Sequence, residues 1–428
     1  MKRMFRAITL VTLALLLATS GIFAASQPQP VKLTLWHHWS GNRIDMIDNM
    51  IKEFQKDYPW IEIEQMFSST GGAADRLGTL LVSGAAPEIL MIRSTYAFQF
   101  MQFGGFRSLN DLIERDGIRL NVFNPGDLRG FQLNGHTYAL PSMSGSAWTN
   151  LMFYNKDMFT NSGLDADRPP TTWTDWRNAA RRLHRVTDAG VITQGGTHVP
   201  ALSVAAAWNG AEFWTPDWQK STISNSRTEE TVDFLNQLLL DTYGTFSAHQ
   251  SYFRYGDSFW EGLTATYFTN NSGFALAQEV PFEWGATLAP VNEKNPDAKP
   301  IGLVSSTWAY GIPADIAPEK LEAAWLFLQF LTLDERGAGY FAREQARPSP
   351  VIRLNSHPDY AKNPYWHVVI SALQYEMAVP PVTNALSIID TAGNAVLSGT
   401  KHLQQALADA DLAMQNALDE YWRVLEKK

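Results

Sequence analysis

The 428-residue chain contains no cysteine. That absence excludes disulfide bonds, thiol nucleophiles, cysteine metal ligands and a lipid anchor attached through an N-terminal cysteine. Long apolar runs are missing beyond the first two dozen residues: every later one is shorter than a membrane span or is broken by Gly, Pro or charge. The sequence also lacks a nucleophile elbow, a zinc-binding His-Glu-x-x-His, a phosphate-binding P-loop and a dinucleotide glycine fingerprint. Basic residues are the minority. The 34 Lys and Arg against 43 Asp and Glu give a net charge of −9, a poor basis for gripping nucleic acid or an anionic lipid surface.

What is present starts at the first residue. Lys2, Arg3 and Arg6 precede an apolar core from Ile8 to Ala18 and a small-residue exit at Ala24-Ala25. This is the pattern of a secretory signal peptide over residues 1–24, and it predicts a protein released into the periplasm without a lipid tether. The remaining chain, about 400 residues, is too long for one ordinary core and predicts two lobes. Aromatics are plentiful, with 15 Trp, 23 Phe and 14 Tyr. That number leaves several flat rings free to stack on the apolar faces of a ligand.

Apolar periodicity predicts an order of elements. Val31–Trp36, Ile61–Glu64 and the wholly apolar Ile89–Ile92 read as strands, separated by helical faces at Ile44, Ile47, Ile51, Phe54 and over Leu77–Val82. Strand, helix, strand, helix, strand makes an open α/β sheet, which binds ligands at the carboxyl ends of its strands. Those ends carry Trp36 to Gly41, Ser68 to Gly72 and Arg93 to Tyr96. Leu140–Phe159 reads as strand, Ser/Gly crossing and second strand, with Trp148 beside the crossing; residues 299–312 and 346–350 look like further crossings. Helices are expected over 169–183 with a Thr cap, over Thr228–Leu240, at the start of Phe259–Phe268, over Pro318–Thr332 and along the C-terminal segment from Leu403.

Fragments along nearly the whole chain, "LTLWHHWSG", "MIKEFQKDYPWIEIE", "LLVSGAAPEILMI", "LPSMSG", "FYNKDMF", "PPTTWTDW" and "AAWLFLQFLTLDE", together resemble the extracytoplasmic solute-binding proteins of ABC importers, of the maltose-binding-protein type. The resemblance implies a two-lobed periplasmic-binding-protein fold of the class with three hinge crossings and a ligand cleft between lobes. It implies an N-terminal lobe of residues 25–141 plus 306–348 and a C-terminal lobe of 142–305 plus 349–428. It also implies a sugar ligand, delivery to membrane permease subunits, no cofactor, no nucleic acid and a monomer. The chain departs from the family where Glu88 is followed by Arg93-Ser94, at Ala265-Thr266, and at Asn270–Phe274, all near ligand-facing positions.

A sugar presents C–H faces and a rim of hydroxyls, so its site needs aromatic faces and short polar or cationic groups. Trp36, His38 and Trp39 match the family's first ligand loop, with Ser69, Arg93 and Ser94 at the neighbouring strand ends. Ser142, Trp148 and Trp308 lie on or beside crossings; Trp208, Asn209, Trp260 and Asn271 fall where the second lobe of relatives meets ligand, and Arg347 precedes Pro348. Trp36 is also readable as the last core residue of its strand. Arg93 favours an acidic sugar or a bidentate contact to paired hydroxyls. His37 and His38 are adjacent, so in extended chain they point opposite ways and make a poor joint metal site. The rival readings are a secreted carbohydrate-active hydrolase or lyase, for which Glu261 and Glu283 are candidate carboxylates, and a receptor for a glycerol phosphate-type ligand.

Overall fold

The computed structural model describes residues 29–145, 149–253, 258–304, 306–382 and 384–426. The signal-peptide segment, Trp148 and the predicted hinge position Ser305 lie outside the described residues. The first third of the chain alternates strands and helices: β1 (Val31–His37), α1 (Asn42–Asp57), β2 (Ile61–Phe67), α2 (Ala73–Ser83), β3 (Ile89–Arg93) and α3 (Ser94–Gln102), followed by the short α4 (Pro125–Arg129) and β4 (Ala139–Met143). Next come β5 (Leu151–Asn155), α5 (Trp173–Leu183), α6 (Leu202–Trp208), α7 (Ser226–Thr242), β6 (Thr266–Thr269), β7 (Trp284–Leu288), β8 (Gly302–Val304) and β9 (Trp308–Gly311). The chain closes with α8 (Pro318–Thr332), α9 (Tyr340–Glu344), α10 (Trp366–Ala372), β10 (Glu376–Ala378), α11 (Ala385–Leu397) and α12 (Leu403–Glu426).

Five strands form the first sheet in the order β2-β1-β3-β9-β4; β1, β2 and β3 run parallel, and β9 is antiparallel to both neighbours. The unbroken apolar run of β3 has a simple cause. Ile89 and Met91 face one apolar cluster, with Phe54, Trp325 and Phe327, while Leu90 and Ile92 face the other, with Trp36, Leu77 and Phe98. Side chains alternate along a strand, so a strand covered on both faces must be apolar at every position. The predicted α8 is found at its predicted limits, led by Pro318 at its first turn. Phe259–Gly262, expected as a helix end, is a turn, because Gly262 takes φ +73° and breaks any helix there.

A second sheet, β6-β5-β7, is antiparallel throughout. Phe153 on its central strand meets Trp260, Phe274 and Trp284, and Met152 faces the opposite way into the cluster holding Trp176 and Trp208. α5 begins where Thr172 accepts a hydrogen bond from the Asp175 amide at 3.1 Å, the predicted cap.

Segments that run between the two sheets meet at one buried carboxylate. Asp127 of α4 is fully buried; it accepts from the Gly145 amide at 2.8 Å, the Thr307 hydroxyl at 2.6 Å and the Ser144 hydroxyl at 2.5 Å. Gly145 is obligatory here, since a Cβ would lie 2.8 Å from the amide nitrogen and hydroxyl of Thr307. Asn124, just before α4, donates through its amide to Pro350 O at 2.8 Å, and its side chain donates to Glu376 at 3.1 Å. Val351 and Leu354 pack with the first sheet, whereas Tyr360 and Trp366 stack on each other at 3.8 Å in the cluster against β5.

Two predictions follow from buried polar groups. Asp127→Ala removes the acceptor shared by three buried donors and is expected to cost about 3 kcal/mol or more in urea denaturation. His249 is buried among Tyr243, Phe253 and His198, and burial pushes its pKa down to about 3. Its unfolded counterpart titrates near 6.5, so the stability held at neutral pH is lost as pH falls from about 6.5 towards about 3. His249→Phe is expected to lose about 2–2.5 kcal/mol less than wild type between pH 7 and about 4.5, measured by denaturant midpoints at each pH.

Candidate functional site

The ladder between β3 and β9 builds the site. Its register sets Arg93 opposite Trp308, and a register shift follows at Trp308/Ala309 on the β4 side. Antiparallel partners share a face, so the guanidinium comes to rest over the indole, 4.7 Å from the ring centroid. Arg93 Nε also donates to the Ser306 hydroxyl at 3.1 Å. Ser94 continues the contact: its amide donates to Thr307 O at 3.0 Å, and its hydroxyl accepts from the Thr307 amide at 3.1 Å. Trp308 keeps part of its ring exposed.

The loop after β1 completes this wall. His38 lies 5.6 Å and Trp39 5.4 Å from Trp308, centroid to centroid. His38 is buried; burial, and then the charges of Arg76 and Arg93, hold its pKa below the ordinary histidine value, so it is neutral. Its Nδ1 sits 2.7 Å from the Ser68 carbonyl, while Nε2 is buried with no hydrogen-bond partner. His37 turns the other way, to Gln65 at 3.0 Å. Trp39 donates from Nε1 to the Tyr310 hydroxyl at 3.2 Å and lies against Phe341 and Arg43. Ser69 is exposed and braces Arg76 through its carbonyl and hydroxyl. Arg347 is half-buried nearby, its pKa lowered by burial and by the charge of Arg43.

Several predicted residues stand elsewhere. Trp36 is 2% exposed and packs with Leu77, Leu90 and Ile92, so it is core, as its place inside β1 requires. Trp208 is fully buried against Trp176 and Phe268. Asn209 is also fully buried: its side chain donates to Arg227 O, Glu230 and Thr231 and accepts from Asn292, a node that ties α6 to α7. Both are packed inside the fold: the small, apolar α6 is a core helix, and its end needs Asn209 to satisfy neighbouring polar groups. Ser142 is buried and donates to Trp308 O at 3.3 Å, bracing the wall from behind. Trp260 is half-buried among Phe153, Phe259 and Tyr267, and Asn271 is buried. Glu88, one of the departures noted above, accepts from the Thr34 amide at 2.7 Å and pairs with Lys320, a structural role.

Two cavities lie where the two sheets' packing meets. One of about 500 Å³ is bounded by Arg343 and Ala346 on one side and by Phe274, Trp284 and Trp366 on the other. The second, about 280 Å³, is bounded by Ser94 and Thr95 and by residues 379–382 and 384–387. Sequence reading placed Phe274 at the end of a stretch near ligand-facing positions and missed Trp284 and Asp127. Each is a common residue type in an unremarkable run, and only the pairing of distant strands fixes where they lie.

Comparison with known proteins gives the context. A family model described as bacterial extracellular solute-binding protein matches residues 40–338. The chain is 24% identical over 408 residues to the sn-glycerol-3-phosphate-binding periplasmic protein of Escherichia coli K12, covering 88% of this chain and 90% of that one. Its fold superposes on the cyclic alpha-maltosyl-1,6-maltose binding protein of Arthrobacter globiformis with a TM-score of 0.74 at 19% identity, covering 91% and 100% of the two chains. It superposes on the UgpB protein of Mycobacterium tuberculosis in complex with glycerophosphocholine with a TM-score of 0.70 at 19% identity, covering 91% and 98%. These are two-lobed substrate-binding proteins.

Asn209 separates a fold role from a ligand role. Asn209→Ala is expected to cost about 2–4 kcal/mol in chemical denaturation, from several lost buried hydrogen bonds. At a temperature where the variant is folded, its ligand affinity in titration calorimetry is expected to match wild type.

Proposed function

Because the chain belongs to the bacterial extracellular solute-binding proteins, we propose that it captures a carbohydrate, a mono- or oligosaccharide, outside the cytoplasmic membrane and delivers it to the permease of an ABC importer. The observation that carries the carbohydrate class is the wall at the strand ends: the half-buried Trp308 ring, flanked by His38 and Trp39 and capped by Arg93. A sugar's C–H face stacks on such a ring, and its hydroxyls suit a histidine acceptor and a guanidinium donor. Structural relatives that bind a cyclic maltosyl-maltose or a cycloalternan support the same class.

In this reading the lobes are residues 25–141 with 306–348 and residues 142–305 with 349–428, joined by crossings near Ser142, Ser305 and Ser349. The packing of Val351 and Leu354 with the first sheet favours extending the first lobe to residue 354. The free protein is open, and ligand draws the lobes together because both contribute contacts to it. The protein acts as a monomer in the periplasm, with no lipid anchor, no cofactor and no nucleic acid. It binds without turnover. A glycosidase needs two carboxyl groups facing one another across a cleft, whereas Glu261 and Glu283 are both exposed on the surface.

A thermal-shift screen of the mature protein against mono-, di- and oligosaccharides, uronic acids and glycerol phosphates tests this. One ligand is expected to raise the melting temperature by mass action, with no product formed; turnover of that ligand overturns the reading. Trp308→Ala is expected to weaken its binding on the order of tenfold or more, by removing about 1–3 kcal/mol of burial and stacking. Unchanged affinity in calorimetry removes Trp308 from the site.

A further inference from the structure

The partly exposed cations of this protein fall into two groups. Arg107, Lys156, Arg177, Arg227, Lys320 and Arg343 each pair with a carboxylate: Asp111, Asp167, Asp241, Glu230, Glu88 and Glu335 respectively. Arg43, Arg93 and Arg347 are equally withdrawn from solvent and have no carboxylate partner among the described residues. Arg93 and Arg43 line one wall, and Arg347 lies near enough to feel the charge of Arg43. Arg93 lies over Trp308, Trp308 lies 5.4 Å from Trp39, Arg43 lies over Trp39 at 5.5 Å, and the charge of Arg43 acts on Arg347. In a chain with nine more acids than bases, this wall is the one place among the described residues that keeps its half-buried cations free of acids.

Withdrawing a cation from water without a counter-ion is unfavourable, and gathering like charges adds repulsion. The aromatic rings beneath Arg93 and Arg43 offset part of this but supply no net negative charge. His38 adds a second unfilled demand. A carbonyl only accepts, so the 2.7 Å contact with Ser68 O places the proton on Nδ1. Nε2 is then a buried lone pair without a donor, on a side chain in a residue only 5% exposed. The wall therefore lacks one anion and one hydroxyl donor.

We propose that the ligand is an anionic sugar, whose carboxylate or phosphate is held by Arg43, Arg93 and Arg347 while a hydroxyl donates to His38 Nε2 and a ring face lies on Trp308. This rests on the solute-binding reading above and narrows it to charged ligands. Arg93 and Arg347 then set specificity: each is balanced only when the anion is present, and a neutral sugar leaves both uncompensated as the cleft closes.

Matched pairs test it by titration calorimetry on the mature protein: galacturonate against galactose, glucose 6-phosphate against glucose, and glycerol 3-phosphate against glycerol. The charged member of at least one pair is expected to bind tenfold or more tightly than its neutral partner. That advantage is expected to shrink as salt rises from about 50 to about 500 mM, and Arg93→Gln and Arg347→Gln are each expected to reduce it severalfold. Which pair responds tells a carboxylate from a phosphate, and a sugar from a bare polyol. A neutral sugar that binds as tightly as its charged partner overturns the proposal and leaves the solute-binding reading standing. Silence in every pair and in the broader thermal-shift screen overturns both. If a variant fails to fold, by circular dichroism, the salt dependence of the wild-type ratio still decides.

Discussion

A single buried carboxylate ties together the segments that run between this molecule's two sheets. Taking Asp127 out of water costs several kcal/mol, and that cost is met only because three donors converge on it. Two of them come from Ser144 and Gly145, past the end of β4, and the third from Thr307, one residue before β9. Three residues earlier, Asn124 reaches Pro350 and Glu376. One short helix is thereby tied to every stretch of chain that runs between the two sheets in the proposed arrangement. The tie also holds Thr307 in place, and Thr307 is the neighbour of Trp308, so the site's aromatic face is built directly on the buried carboxylate.

The wall beside it obeys a different rule from the rest of the protein. Elsewhere the half-buried cations and several buried polar groups are answered from within the fold: Asn209 exchanges hydrogen bonds with four residues, and Lys320 and Glu88 neutralise one another. At the strand ends, cations stand over indoles without acids, and a histidine lone pair faces no donor. Half-buried cations left without acids mark a place where the fold gives up some of its own stability, which a ligand of opposite charge can restore.

Much of this was legible in the residues. The period-2 and period-3.6 patterns of the first hundred residues, the Thr172 cap and the Pro-led α8 specify local structure strongly, and the structure follows them. The placing of Arg93, His38 and Trp39 at strand ends came from the same logic. Aromatic identity was a weaker guide. Trp36, Trp208 and Trp308 look alike in a string of letters, and what separates them is the sheet face or helix they occupy. Trp208 sits in an Ala-rich helix that has to be buried to exist, and Trp308 begins a strand where the sheet runs out. Asp127 was invisible for a different reason. Its partners lie 17 to 180 positions away, and no local pattern announces a contact of that span.

The place of β9 in the first sheet has a consequence for how the chain comes to be folded. β9 lies between β3 and β4, yet more than two hundred residues separate it from β3 in sequence. A chain emerging from its N-terminus has β1, β2 and β3 ready early, but the edge of β3 stays unpaired until Gly311 has appeared. During that interval the half-built sheet presents an open edge and two apolar faces, a form prone to association and slow to complete because its closing contacts are so distant in sequence. The same delay keeps the early portion from locking into a compact body before the rest of the chain has appeared.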